Sequence, residues 1–250
     1  MRHYGCMREE YRGEWMARRY DEGSAELFAP EVVDPIVSFL ADLAGERGEA
    51  LELGVGTGRI AVPLSRQGVR VHGIDFSQDM VDRLRSRQST QQIGVTIGDF
   101  TTADAGRKFR LAYLIYGTIE DLTTQDEQVR CFRNVARHLE PGGCFVLEAP
   151  IPPIRRLPPG ETIQASRLSP DWIVVDDYNT AEQTCRSDHY RVTGGKLEIL
   201  SARYRYVWPA ELDLMARLAG MSLRERWGGW QRQSFDVDST AHISVWERRA

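Results

Sequence analysis

The stretch that decides the fold is Leu51-Glu52-Leu53-Gly54-Val55-Gly56-Thr57-Gly58, an apolar strand that runs directly into a glycine-rich turn. Residues 59–67 after it are compatible with a helix. Glycines let the backbone approach a ligand closely, and the N-terminus of a helix supplies unpaired amides and a positive dipole. The stretch therefore predicts a strand–turn–helix unit with a ligand at the turn.

Strands and helices alternate on both sides of this unit. Apolar periodicity predicts strands at 50–53, 69–74, 93–97, 109–116 and 144–148, and helices at 30–43, 59–67, 77–87 and 125–139. A helix at 209–220 and two last strands near 221–226 and 242–247 follow later. Because such alternation builds right-handed βαβ units, we expect an α/β fold with a mostly parallel, seven-stranded, Rossmann-like sheet.

The pattern breaks after the fifth strand. A Pro-rich turn is followed by short strand-like stretches at 172–175, 197–200 and 204–206, with a hairpin turn at Gly194-Gly195. We interpret this region as an antiparallel insertion over the sheet. The expected organisation is an N-terminal helical segment with the core at 1–149, the insertion at 150–208, and a helix with the last strands at 209–250.

Composition narrows the class of protein. The chain has 250 residues, 42% hydrophobic and 27% charged, which is ordinary for a globular protein. Its formal net charge of -4 gives no reason to expect a nucleic-acid partner, and no apolar run suggests a membrane span or a signal peptide. The four cysteines form no CxxC pair and have no histidine at metal-ligand spacing. We expect a cytoplasmic protein with reduced thiols and no metal, monomeric or homodimeric.

Two acidic residues follow neighbouring strands of the predicted sheet. Asp75 lies 21 residues after Gly54, where a carboxylate can accept hydrogen bonds from ribose hydroxyls. Asp99 and Phe100 follow the third strand beside the same crevice. The third glycine of the dinucleotide fingerprint GxGxxG is absent. This arrangement suits a cofactor with a ribose, an adenine and an anionic tail but no pyrophosphate.

The run from Leu51 to Glu148 resembles the core of class I S-adenosylmethionine-dependent methyltransferases. The similarity rests on the ELGxGxG loop, on Asp75 with Ser77 and Met80 after it, on the GDF turn, and on the PGG turn before strand five. The tail at 206–212 and 242–246 further resembles a bacterial small-molecule branch. The resemblance implies methyl transfer from S-adenosylmethionine to a small-molecule acceptor by in-line displacement.

The resemblance also implies a set of cofactor-binding residues: Tyr20, Glu52, Gly54, Gly56, Asp75, Phe76, Met80, Asp99, Phe100 and Tyr116. In this scheme Glu52 and the glycines line the methionine and ribose, and Asp75 binds the ribose hydroxyls. Asp99 and Phe100 hold the adenine, residues 116–118 pass beneath the sulfonium, and Tyr20 covers the cofactor. The chain departs from the family at Gly117, where asparagine is expected.

The acceptor site must come from segments that the superfamily does not share. The insertion is rich in aromatic residues, so we expect it to cap and wall the acceptor. His189, within the insertion, is the first candidate for a general base and His242 the second, because an imidazole titrates near neutral pH. After strand five, Glu148-Ala149-Pro150 lacks the Asp-Asn pair of magnesium-dependent O-methyltransferases.

Two other functions stay open from the sequence. One is a nicotinamide-dependent oxidoreductase on a related fold, which the missing third glycine disfavours. The other is a catalytically inactive cofactor-binding or regulatory protein, which would keep the loop and the acids.

Overall fold

A computed structural model describes residues 25–46, 48–87 and 93–249. Tyr20, predicted to cover the cofactor, lies outside these residues. The helices are α1 (Pro30–Ala44), α2 (Ala61–Arg66), α3 (Gln78–Arg87), α4 (Gln125–His138) and α5 (Pro209–Leu218), and short 3-10 turns cover Ala25–Phe28, Thr118–Asp121 and Pro153–Arg156. The strands are β1 (Glu49–Leu53), β2 (Arg70–Asp75), β3 (Gly94–Ile97), β4 (Phe109–Leu114), β5 (Leu139–Pro150), β6 (Ile163–Ser169), β7 (Trp172–Asn179), β8 (Thr184–Thr193), β9 (Lys196–Arg205), β10 (Met221–Trp227) and β11 (Ala241–Arg248).

Seven strands form the central sheet in the order β10-β11-β5-β4-β1-β2-β3. β1 pairs in parallel with β2 and β4, β2 with β3, and β4 with β5, whereas β11 is antiparallel to both of its neighbours. The predicted mostly parallel, seven-stranded sheet is confirmed. Its parallel strands all end at one edge, where ligands of open α/β sheets bind.

Helices cover both faces of this sheet. One buried cluster contains Phe39 of α1 and Leu64 of α2, and the other contains Phe132 of α4 and Met215 of α5. The central strands β1 and β4 are buried on both sides, as parallel strands usually are, whereas the edge strands β3 and β10 are more exposed. No helix in the described ranges is long and apolar enough to cross a membrane.

The start of β5 differs from the prediction. We expected the Pro-Gly-Gly turn to precede the strand, but β5 already begins at Leu139, which pairs with Phe109. The register then shifts, so that Leu111 pairs with Cys144. The residues of β5 between these two pairs form a bulge that includes Gly142. The φ of Gly142 is +74°, a backbone conformation that is strained for most other residue types.

The insertion forms a second, antiparallel sheet in the order β6-β7-β8-β9. The predicted hairpin turn is confirmed, with φ of +57° at Gly194 and +78° at Gly195. The two strands predicted at 197–200 and 204–206 are one strand, and β6 and most of β8 were not predicted. β8 lacks an apolar alternation because its buried positions are held by Cys185 and Ser187.

Candidate functional site

The glycine turn lies at the carboxyl end of β1. The N–H groups of Gly54 and Val55 both donate to the carbonyl of Ile74 at the end of β2. Gly54 and Gly56 have φ of +67° and +52°. Among the described residues, the atom nearest to a Cβ at Gly56 would lie 4.0 Å away, so a side chain there would meet open space within this part of the chain. The turn is therefore a crevice kept free of side chains.

Gly58, to which the sequence assigned no role, has a packing function. A Cβ at this position would lie 2.1 Å from Cδ1 of Leu84 and 3.0 Å from Cγ2 of Val62. The third glycine of the turn thus lets the start of α2 approach α3.

Asp75 is held rigidly at the end of β2. Its Oδ2 accepts from the N–H of Gly56 at 2.7 Å, and its Oδ1 accepts from the N–H of Ser77 at 2.8 Å. Burial raises the pKa of Asp75, and backbone hydrogen bonds from Ser77, Gly56 and Phe76 oppose that rise. Each carboxylate oxygen can accept a further hydrogen bond, as two ribose hydroxyls would require.

Glu52 lies deeper than the glycines. It is buried, and its Oε2 accepts from the hydroxyl of Tyr113 at 3.0 Å. Burial raises the pKa of Glu52 to about 8, although the Tyr113 hydrogen bond and the nearby charge of Arg59 lower it. The carboxyl group is therefore mostly protonated at neutral pH in the protein without cofactor.

The remaining predicted cofactor residues occupy the ends of β2 and β3. Asp99 is partly exposed, and its Oδ1 accepts from the N–H of Thr101 at 2.8 Å. Phe100 is buried in the core cluster beside α4. Phe76, which directly follows Asp75, and Met80, in the first turn of α3, are both partly exposed.

The turn after β4 has a strained backbone. Tyr116 has a φ of +62° and Gly117 a φ of +65°. Among non-glycine residues, asparagine is one of the few that adopt such values readily, so glycine in place of the family's asparagine keeps the turn conformation. The turn approaches the glycine crevice, because Cγ2 of Thr118 lies 3.5 Å from the Cβ position of Gly54.

Glu148 near the end of β5 supports this turn. Its Oε2 accepts from the N–H of Tyr116 at 2.8 Å, and its backbone carbonyl accepts from the N–H of Gly117 at 3.1 Å. Its Oε1 accepts from Nε1 of Trp230 at 3.0 Å. The sequence motifs assign no role to Glu148. Its position at a strand end was the available signal, whereas no local pattern indicated Trp230.

Two cavities lie beside this turn. The larger cavity, of about 400 Å³, has walls from the turn after β4, from β5 and the segment after it, and from the insertion; they include Tyr116, Glu120, Asp121, Glu148, Arg155, Arg156, Tyr178, Tyr204 and Tyr206. The smaller cavity, of about 300 Å³, lies between α1 and the segment after β10, and its walls include Leu27, Glu31, Arg59, Tyr116, Glu148 and Trp230. Tyr116 and Glu148 line both.

The two candidate bases do not line either cavity. His189 on β8 is partly buried, and its Nε2 lies 3.3 Å from Oγ of Ser187. Ser187 donates to Oδ1 of Asp176, which also accepts from the hydroxyl of Tyr204 in the wall of the larger cavity. His242 is fully buried, and burial lowers its pKa to about 3, so it is a poor proton acceptor near neutral pH.

Comparison with known proteins now identifies the family. Residues 50–143 match the family described as "Methyltransferase domain". Over 244 residues the chain is 25% identical to the cypemycin N-terminal methyltransferase of a Streptomyces species, covering 92% of this chain and 98% of that protein.

Solved structures show the same relationship. The CcbJ methyltransferase from Streptomyces caelestis is 36% identical, with a TM-score of 0.77 over 86% of this chain and 89% of that one. S-adenosylmethionine-bound CalS10 from Micromonospora echinaspora, an amino pentose methyltransferase, shares the fold at 19% identity, with a TM-score of 0.62 over 98% and 99% of the two chains.

These findings support the enzyme interpretation and give no support to an oxidoreductase or an inactive regulatory protein. The cofactor is S-adenosylmethionine and the acceptor is a small molecule. The chain belongs to the Rossmann-like S-adenosylmethionine-dependent methyltransferases.

Proposed function

We propose that the enzyme methylates the nitrogen of a small-molecule amine held in the larger cavity. The observation that carries this proposal is the chemistry of the cavity wall, in which carboxylates outnumber arginines and four tyrosines are present. The residues concerned are Glu120, Asp121, Glu148, Arg155, Arg156, Tyr116, Tyr178, Tyr204 and Tyr206. Carboxylates attract an ammonium group, and aromatic rings stabilise a cation through their π faces. A neutral hydroxyl acceptor would gain much less from this wall.

The position of the cavity supports the same proposal. Tyr116 and Gly117, which line it, belong to the turn that approaches the glycine crevice. Tyr178 and Tyr204 come from the insertion, on β7 and β9. This agrees with the expected division of the chain, in which the core at 1–149 and 209–250 holds the cofactor and the insertion at 150–208 caps the acceptor.

For the cofactor we retain the predicted residues. The crevice over Gly54 and Gly56 would hold the methionine and ribose, and Asp75 would accept from the ribose hydroxyls. Asp99 would hold the adenine, with Phe76, Met80 and Phe100 around it. The residues fit the group because the glycine crevice is open and each oxygen of Asp75 has hydrogen-bonding capacity left.

S-adenosylmethionine supplies an activated methyl group, so the protein has to align the acceptor, exclude water and handle one proton. The tyrosines of the insertion would exclude water. His189 remains the candidate base, and Ser187, Asp176 and Tyr204 connect it to the cavity by hydrogen bonds. Tyr204 would pass a proton to Asp176, and Asp176 would pass it to the oxygen of Ser187, whose own hydrogen would turn from Asp176 to the imidazole. The expected cytoplasmic location, and a monomeric or homodimeric state, remain predictions.

The names of two similar proteins support nitrogen as the acceptor atom. One is an N-terminal methyltransferase and the other an amino pentose methyltransferase, and both names refer to amines.

The test has two arms. Calorimetry with S-adenosylmethionine and with NAD should show binding of the former alone. Mass spectrometry should then detect a methylated product with amines from a panel of amino sugars and short peptides, and none with the corresponding alcohols. Methylation of the alcohols but not the amines would contradict the proposal.

A further inference from the structure

Glu148 contributes to the walls of both cavities. It lies near the carboxyl end of β5 and lines both of them, as does Tyr116 in the turn after β4. An amine bound in the larger cavity would therefore lie against a wall that contains the carboxylate of Glu148.

The carboxylate is fixed by neutral donors from two distant segments. Tyr116 donates its backbone N–H to Oε2, and Trp230 donates its indole N–H to Oε1. Each oxygen keeps the capacity for a second hydrogen bond. The side chain is also partly exposed, so that capacity can face a cavity.

The negative charge of Glu148 has no counter-ion among the described residues. Within that part of the chain, no lysine, arginine or histidine nitrogen forms an ion pair with it. Two arginines lie in the same cavity wall. Arg155 donates to the backbone carbonyls of Val237 and Ser239, and Arg156 forms no ion pair with Glu148. An unpaired, partly buried carboxylate attracts a cation more strongly than one that an arginine neutralises.

We propose that Glu148 is the anionic positioning residue of methyl transfer, holding the Tyr116 turn in place while its charge attracts the positive charge at the site of reaction. This inference rests on the proposed function. In the transfer, the lone pair of the acceptor nitrogen forms the new C–N bond as the C–S bond breaks with its electron pair going to sulfur. Positive charge passes from sulfur to nitrogen, and the amine proton then leaves. A carboxylate beside that path favours the charge throughout.

The decisive variant is Glu148→Gln, which keeps the size of the side chain and removes the charge. Its affinity for S-adenosylmethionine, which carries a sulfonium charge, should fall about tenfold, one decade of Kd. Its affinity for S-adenosylhomocysteine, which lacks the sulfonium charge, should change by less than about twofold. Calorimetry with both ligands measures this ratio without any acceptor. Equal losses for both ligands, or no loss for either, would overturn the proposal.

Glu140→Gln is the matched control, because Glu140 is an exposed glutamate at the opposite end of the same strand. Its two affinities should match those of the wild type. If the wild-type enzyme methylates none of the tested amines, the proposed acceptor class fails, while the ratio of the two affinities still decides the role of Glu148.

A substitution of Trp230 tests the other part of the proposal, that the side chain of Glu148 holds its two hydrogen-bond donors in place. Both partners of Glu148 are donors, so the amide that Glu148→Gln introduces would have to present its own N–H₂ group to one of them. Trp230→Phe removes one donor but keeps a ring against Phe39, which packs edge-on at 5.5 Å. Glu148→Gln should therefore lower Tm less in the Trp230→Phe background than in the wild type. Additive Tm changes would show that Glu148 does not hold the two segments together.

Discussion

Glu52 and Tyr113 lie opposite each other on the neighbouring parallel strands β1 and β4, and the Tyr113 hydroxyl donates a hydrogen bond of 3.0 Å to Oε2 of Glu52. This pair is fully buried at the base of the glycine crevice, and burial raises the pKa of Glu52 to about 8. The base of the glycine crevice thus contains an acid that binds a proton on folding.

That proton makes stability depend on pH. With the usual value of 4.5 in the unfolded chain, Glu52 binds more protons in the folded state between pH 4.5 and about 8. Its contribution to stability is therefore complete below pH 4.5 and is lost as the pH rises through 8. Glu52→Gln, which cannot titrate, should reduce the fall in free energy of unfolding over this range by at least about 1.4 kcal/mol, the equivalent of one pKa unit. Urea unfolding at several pH values checks this, and parallel curves for the two proteins would contradict it.

Asp75→Ala should weaken the binding of S-adenosylmethionine by at least about tenfold. Hydrogen bonds to a charged group contribute about 1.5–3 kcal/mol, and about 1.4 kcal/mol is one decade of affinity. Asp82→Ala, at an exposed position on α3, is the control and should bind as the wild type does. Calorimetry measures both, and circular dichroism establishes that the variants fold. Wild-type affinity in a folded Asp75→Ala protein would place the ribose elsewhere.

His189→Ala should lower kcat about a hundredfold, at the lower end of the range for a general base, and leave the cofactor Kd unchanged. The reason is that hydrogen bonds through Ser187, Asp176 and Tyr204 connect His189 to the larger cavity. Tyr204→Phe breaks this connection at the cavity wall and should reproduce the fall in kcat. Wild-type kcat in both variants would leave the imidazole a structural role within the insertion.

The glycine turn offers a paired test of packing. Gly56→Ala should cost about 1–2 kcal/mol, because its φ of +52° is strained for alanine while its surroundings are open. Gly58→Ala carries a similar strain at φ +81° and also forces a methyl group against Leu84, which adds about 1–3 kcal/mol. Chemical denaturation should rank Gly58→Ala as the less stable variant. Equal stabilities would mean that α3 moves away freely.

The cofactor side of this protein is determined by its sequence to an unusual degree. Strand periodicity, the glycine turn and the spacing to Asp75 are all local properties of the chain. Because parallel strands end at a common edge, the residues that follow them must meet there, and Asp75 does hydrogen-bond to Gly56. Most of strand β8 could not be predicted in this way. Its buried residues are Cys185 and Ser187, which give no alternation of apolar and polar positions.

Only the tertiary structure decided the acceptor side. Glu148 and Trp230 are 82 residues apart, and they meet because β11 inserts between β5 and β10 and brings the segment after β10 to the end of β5. The larger cavity likewise joins tyrosines of the insertion to carboxylates of the core. Such contacts depend on how sheets and loops pack against each other over long distances, and no spacing along the chain encodes them.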